Sequence, residues 1–251
     1  MKLPLYFISD CHIGMNLDNN EQKRRKKLFH IFDKIKKNGG TLILGGDFFD
    51  FWFEFRKKTP EIYKDVFNEL VKLKNSGINI HYIAGNHDYW NFGYLESTFV
   101  KSFYKGDLYI EDFNTKILIT HGDGLLKSDQ RYRALKKVLR SKVFIFFFKL
   151  LGEKIGYKIG KKASQYYPNY YQQKKSNSSD DNIKEIKRDI LDYAHQMWSQ
   201  GYDVVLVGHY HQLEIIDKGA KLLIFLGDWM KHYSITKFDG KKWTQFTWNE
   251  V

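Results

Sequence analysis

Hydrophobic and polar positions in this chain follow two periods in turn. Short apolar runs stand at Leu5–Ile8, Thr41–Leu44, Ile78–Ile83, Lys116–Thr120 and Asp203–Val207, and most end in Gly, Asp, Asn or His. Runs this short, bounded by turn formers, predict buried strands. Between them the period lengthens. Leu28, Phe29, Ile31, Phe32 and Ile35 share one face of a helix expected over Glu21–Lys37. Pro60 opens a second helix, with Ile62, Val66, Phe67, Leu70, Val71 and Leu73 inward and Gly77 past its end. Ile183, Ile186, Ile190, Tyr193, Ala194 and Met197 mark a third over Asp181–Ser199. Leu222–Trp248 reads as successive strands, with Asp239-Gly240 as a hairpin turn. Strands alternating with helices predict an α/β core.

One stretch breaks the alternation. From Leu125 to about Asp180 the chain runs through a helical pattern (Tyr132, Leu135, Val138, Leu139), the apolar run Val143–Phe148, and a polar run containing the linker Ser176–Asp181. Residues 1–124 and 181–251 are therefore expected to form the core, and residues 125–180 a helical insertion. Charge sharpens this division. Leu125–Lys175 holds 14 Lys or Arg against two acids, whereas the remainder holds 27 basic and 27 acidic residues. A neutral core carrying one strongly basic insert points to an anionic partner: phosphate groups, nucleic acid or an acidic membrane surface. The 251 residues, 43% hydrophobic, suffice for one substantial core. Cys11 is the only cysteine, which rules out a disulfide framework and fits a reducing cytoplasm. The N-terminal apolar run is too short for a signal peptide, and Val143–Phe148 falls far below the roughly 20 residues of a membrane span.

Five short motifs fall at or just after predicted strand ends: Asp10-Cys11-His12, Gly45-Gly46-Asp47, Gly85-Asn86-His87-Asp88, His121-Gly122-Asp123 and Gly208-His209-Tyr210-His211. Functional residues of an open α/β sheet gather outside the carboxyl ends of its strands, so all five are expected to meet. Each alone has a bland reading as a turn or a surface histidine; the ordered set does not. Carboxylate, imidazole and amide oxygens suit Mn²⁺, Fe²⁺ or Zn²⁺, and the absence of thiolates speaks against a structural zinc–cysteine site. Asp50 and Asp88 have two readings, as partners orienting the histidines or as turn caps. The aromatic run Phe48, Phe49, Phe51, Trp52, Phe53, Phe55 reads mainly as core packing, with some members free to line a pocket. His30, His81 and His195 lie away from the motifs and are expected to be structural.

The ordered motifs resemble the calcineurin-like metallophosphoesterase superfamily. That resemblance implies a β-sandwich flanked by helices and a site for two divalent cations, with Mn²⁺ the expected metal and Fe²⁺ or Zn²⁺ also fitting. By carry-over, Asp10, His12, Asp47 and His211 hold one ion and Asp47, Asn86, His121 and His209 the other, with Asp47 shared. His87, beside Asn86, is expected to act at the leaving group. Two cations about 3.5–4 Å apart make hydroxide available at neutral pH and neutralise charge growing on the phosphoryl group.

A narrower resemblance is carried by Gly-Asp-Phe-Phe-Asp-Phe-Trp-Phe, Gly-Asn-His-Asp-Tyr-Trp, His-Gly-Asp-Gly-Leu with Asp129 and Tyr132 downstream, and Leu-Gly-Asp-Trp. These are similar to the UDP-2,3-diacylglucosamine diphosphatases of bacterial lipid A synthesis, which also carry a basic helical insertion. The resemblance implies release of UMP from a lipid-linked sugar nucleotide, on the cytoplasmic face of an anionic inner membrane, with no nucleic acid partner. Many members have Arg where this chain has His87. Substrate contacts are expected from Asp129, Arg131, Tyr132, Arg133, Lys161, Lys162 and Ser164, of which Asp129 and Tyr132 rest on family position. His232, after Leu-Gly-Asp-Trp, is either near the substrate or a surface histidine. Two rival readings stay open: the same chemistry on a nucleotide, nucleic acid or phosphoprotein, and a binding module without turnover. Lost ligands would mark the latter, and every expected ligand position is filled.

Overall fold

A computed structural model of the protein describes residues 1–175 and 179–250. Residues 176–178 of the expected linker lie outside the described residues. The predicted strands form β1 (Leu5–Ile8), β2 (Thr41–Leu44), β3 (Asn79–Ile83), β6 (Thr115–Thr120) and β7 (Val204–Val207). The predicted helices form α1 (Asn19–Asn38), α2 (Lys64–Asn75) and α7 (Ser179–Ser199). A short α3 (Tyr94–Thr98) precedes β4 (Ser102–Tyr104) and β5 (Leu108–Asp112), and the tail supplies β8 (Leu213–Asp217), β9 (Leu222–Leu226), β10 (Ser234–Phe238) and β11 (Trp243–Thr247).

These strands make two mixed sheets rather than one open sheet. The first has the order β11-β10-β1-β2-β3-β4 and the second β5-β6-β7-β9-β8. β1 to β4 run parallel, as do β6, β7 and β9, while antiparallel strands complete each sheet. Three apolar layers follow. Leu5, Phe7, Ile43, Ile83, Ile119 and Leu206 fill the space between the sheets. α1 and α2 cover the outer face of the first sheet, and Ile190, Ala194 and Trp198 of α7 cover the second. Each large side chain buried this way contributes about 1.5–3 kcal/mol.

α1 also fixes the loop that follows β1. Asp18 caps the helix by accepting the amides of Asn20 and Glu21. The guanidinium of Arg25, 1% exposed, bonds Glu21, Asp65 and the carbonyls of Gly14 and Ile62. Glu21 in turn accepts the Gly14 amide at 2.9 Å. A buried charge satisfied on all sides holds this loop, and removing one partner of such a pair costs about 3–5 kcal/mol.

The basic segment forms α4 (Gln130–Leu139), α5 (Lys142–Leu150) and α6 (Gly152–Lys175). Phe144, Ile145, Phe148 and Tyr157 pack on Phe51, Phe53 and Trp90 of the core. The apolar run of α5 is thus divided: Phe144 and Phe148 turn inward, whereas Val143, Phe146, Phe147 and Leu150 are 61–68% exposed. Among the described residues no helix is long and apolar enough to cross a membrane.

Candidate metal centre

The loops after β1, β2, β3, β6 and β7 converge at one end of both sheets and bring the five motifs together. Three overlapping sets of side chains there have ligand atoms within 4.8 Å of one another: Asp10, His12 and His211; His12, Asp47 and His87; Asp47, His121 and His209. Asp47 Oδ2 lies 3.3 Å from His121 Nε2, 3.8 Å from His12 Nε2 and 3.9 Å from His87 Nε2. Asp10 Oδ1 lies 3.7 Å from His211 Nε2 and 3.9 Å from His12 Nε2. Asn86 Oδ1 is 3.2 Å from His121 Nε2.

The backbone is bent to achieve this. Of eight non-glycine residues with positive φ among those described, five are Asp10, His12, Asp47, His209 and His211. Each such conformation costs on the order of 1–3 kcal/mol, and this cost gathers at functional sites. Gly85 makes room for the rest: a Cβ there would overlap the Asp47 carboxylate and amide. Asp88 is fully buried and accepts the amides of Gly85 and Phe48 and the Tyr82 hydroxyl. It clamps the β2 and β3 loops together, the capping alternative for this residue, and among the described residues it accepts no hydrogen bond from a histidine side chain. Asp50 takes the orienting role, accepting His87 Nδ1–H with its carbonyl at 2.7 Å and placing Oδ1 3.8 Å from His12 Nδ1. His121 Nδ1 donates to the Gly45 carbonyl at 2.9 Å, which turns Nε2 toward Asp47.

These residues fit divalent cations. Asp10 Oδ1 and His12 Nε2 are buried without a hydrogen-bond partner, in a structure where such groups are normally paired. Ligands about 2.1 Å from one ion stand roughly 3–4 Å from each other, the spacing of the Asp10, His12, Asp47, His121 and His211 atoms here. Burial keeps the His12 and His209 imidazoles neutral, the state a ligand needs, with His209 lowered to about 3, whereas at His121 burial is outweighed by the Asp47 carboxylate, which raises the imidazole to about 10. Burial also opposes charge on His87, but the Asp47 carboxylate and the Asp50 carbonyl outweigh it and favour the imidazolium.

The sequence pattern of the calcineurin-like phosphoesterases matches residues 3–213. The chain belongs to that family. This phosphoesterase is 23% identical to the UDP-2,3-diacylglucosamine hydrolase of Porphyromonas gingivalis, across 96% of this chain and 95% of that one. It is 27% identical to the protein of the same name from Neisseria meningitidis serogroup B, across 94% and 95%. The solved structure of the Escherichia coli phosphoesterase Yfce superposes with a TM-score of 0.48 at 12% identity, covering 99% of this chain and 94% of that one.

The basic segment of the phosphoesterase reaches the same centre. Asp123, two residues after His121, accepts Tyr132 Oη at 2.8 Å, Lys136 Nζ at 2.9 Å and Arg140 at 3.1 Å, all from α4 or its C-terminal end. Arg140 also donates to the Gly85 carbonyl and stacks on Tyr89. Ser164 of α6 donates to Asp50 Oδ1, and Lys161 bonds Asn16. Among the expected substrate contacts, Tyr132, Lys161 and Ser164 therefore border the centre. Arg133 is spent on the carbonyls of Gly124 and Leu126, Asp129 starts α4, and Arg131 and Lys162 point to solvent.

Sequence reasoning quoted Asp123 and Asp228 within motifs without giving either a role, and it did not single out Arg140. Asp228 accepts His232 Nδ1 at 2.9 Å and the amides of Met230 and Lys231, and faces His211 Nδ1 at 3.6 Å. Burial raises its pKa, but His211 and the amides of Lys231 and His232 prevail and keep it ionised. The signal was present, because Leu226-Gly227-Asp228 ends β9 as Leu44-Gly45-Gly46-Asp47 ends β2.

Proposed function

We propose that this phosphoesterase hydrolyses the diphosphate bond of UDP-2,3-diacylglucosamine, giving UMP and 2,3-diacylglucosamine 1-phosphate. One observation carries the reading. An aromatic seat between core and insertion, formed by Phe51, Phe53, Phe55, Trp90, Phe148 and Tyr157, lies one hydrogen bond from the centre through Asp50 and Ser164. A substrate with a diphosphate beside two acyl chains needs this pairing of cationic centre and apolar cover. The end-to-end likeness to hydrolases named for that substrate supports it.

In this mechanism Asp10, His12 and His211 would hold one ion, and Asn86, His121 and His209 the other, with Asp47 contributing to both. Ions held there, best supplied as Mn²⁺, would supply activated water and charge neutralisation at the phosphoryl oxygens. His87 keeps Nδ1–H on the Asp50 carbonyl and presents Nε2–H toward the reacting group, where it stabilises or protonates the leaving oxygen. Tyr132, Lys161 and Ser164 contact the substrate, while Asp129 and Arg133 shape the loop beneath α4. Arg131 and Lys162 add long-range attraction for an anion. The exposed Val143, Phe146, Phe147 and Leu150, with Lys142 and Lys149 beside them, rest on the anionic cytoplasmic surface of the inner membrane.

The test is UMP release from UDP-2,3-diacylglucosamine in detergent with Mn²⁺, before and after chelation. Metal-dependent release is expected. Protein that hydrolyses a generic phosphodiester but releases no UMP would retain the metal chemistry and discard this substrate.

A further inference from the structure

A second cationic feature lies on the core, away from the insertion. A groove of about 680 Å³ runs along α1, lined by Lys23, Arg24, Lys26 and Lys27 on one side and by Tyr233 and Trp248 on the other. Its size falls in the roughly 300–1,000 Å³ range of small-ligand sites. No carboxylate lines it among the described residues. The Lys27 ammonium lies 3.9 Å from the Tyr233 ring centroid and 4.6 Å from that of Trp248. The Trp248 amide donates to the Tyr233 carbonyl at 3.0 Å, which keeps the two aromatic residues side by side. Exposed Met230 borders the same groove.

The groove is joined to the metal centre. Arg24 and Asn20 line both it and a smaller cleft of about 250 Å³ that reaches Asp50 and Lys161. Arg24 donates to the carbonyl of His12 at 2.7 Å. Trp229, packed edge-on to Tyr233, donates its amide to the Asp10 carbonyl and its indole N–H to the Arg24 carbonyl. The smaller cleft also carries the carboxylates of Asp18, Glu21 and Asp50, with Arg24 paired to Glu21 at 2.6 Å, so a ligand leaving the metals along α1 crosses a mixed-charge step before it meets the lysines and the flat aromatic surface of the groove.

We infer that this groove binds the nucleoside monophosphate half of the substrate, an inference that rests on the proposed hydrolysis of a nucleotide-linked diphosphate. Lys23 and Lys26 face the phosphate, while Arg24, paired with Glu21 Oε2 at 2.6 Å, borders it. The base stacks on Trp248 and Tyr233, displacing the Lys27 ammonium from the ring faces and leaving it to pair with the phosphate. The acyl half then lies on the opposite side, along the partly exposed Phe55, Phe148 and Tyr157 edge of the aromatic seat, with the diphosphate at the centre between them.

The experiment reads UMP binding directly, by calorimetry on the Mn²⁺-loaded full chain, for the wild type, Trp248→Leu and the double variant Lys23→Glu/Lys27→Glu. Metal content and hydrolysis of bis(4-nitrophenyl) phosphate, which carries no nucleoside, report separately on the centre. The expected result is UMP bound more tightly than inorganic phosphate by the wild type, with about tenfold weaker UMP binding in each variant at full metal content. UMP binding no tighter than that of inorganic phosphate, or equal in all three proteins, overturns the inference. Loss of single-stranded oligonucleotide binding in the variants, with UMP binding intact, overturns it in favour of a nucleic-acid surface. If UMP binds in the groove but wild-type protein releases none from UDP-2,3-diacylglucosamine, the lipid substrate is wrong and the nucleotide groove stands.

Discussion

One oxygen of Asp47, Oδ2, faces the imidazoles of His12, His87 and His121, while Oδ1 accepts the His87 amide at 2.8 Å. A side chain so placed belongs to both halves of the proposed centre. Losing a residue that merely supports a ligand typically costs about 10–100-fold in affinity or activity. Asp47→Ala is therefore expected to lower turnover by at least about 1,000-fold and to reduce bound metal, read by elemental analysis of dialysed protein; full activity would remove the shared role. His87 differs, since Asp50 holds it and its proposed place is at the reacting group. His87→Ala is expected to keep the metal content and lose about 10²–10⁴-fold in kcat, the usual worth of a positioned proton donor. Unchanged kcat would remove it from the mechanism. Five of the six loops that build the centre were legible, because each side chain follows an apolar run and a turn. Asp228 was harder to see. It follows a strand in a tail of successive strands, and its link to His211 exists only once β9 lies beside β7.

Elements with two buried faces or a full helical face were legible for the same reason: their apolar periodicity is complete. β4, β5 and β8 were not. β4 has three residues, β5 buries Leu108 and Ile110 but exposes Tyr109, and β8 is a half-buried edge strand ending in Asp217. Edge strands need fewer apolar residues, so their pattern fades into that of loops. The seat of α6 was hidden for another reason. Gly160 of α6 lies so close to the Phe51 ring that a Cβ would overlap it. Nothing in the periodicity of α6 marks that glycine as a contact. Gly160→Val should push α6 off the aromatic seat and break the Ser164–Asp50 link. The expected outcome is a KM for the acylated substrate raised about tenfold or more with metal content kept, checked by detergent-based UMP-release kinetics alongside bis(4-nitrophenyl) phosphate hydrolysis. Parallel losses on both substrates would show that the change reached the centre itself.

At the scale of the molecule, the centre is also where the two sheets are tied together at one end. β1, β2 and β3 of the first sheet and β6, β7 and β9 of the second all send loops to it. Without cations, those loops hold strained residues and two buried, unpaired ligand atoms against the pull of the sandwich core. Cations that bind the folded site and not the unfolded chain must then stabilise the whole fold. At 100 times Kd one ion contributes about 2.7 kcal/mol. For a chain of this size each kcal/mol moves Tm by roughly 2–4 °C, so Mn²⁺ is expected to raise Tm by about 5–10 °C, and chelation to reverse the rise. Differential scanning calorimetry with and without chelator measures this. The comparison that decides is the Asp47→Ala variant, which lacks the proposed shared ligand and should show most of the rise abolished. A variant stabilised as much as the wild type would mean that the ions act elsewhere on the surface, and the coupling of the two sheets through the centre would fall with it.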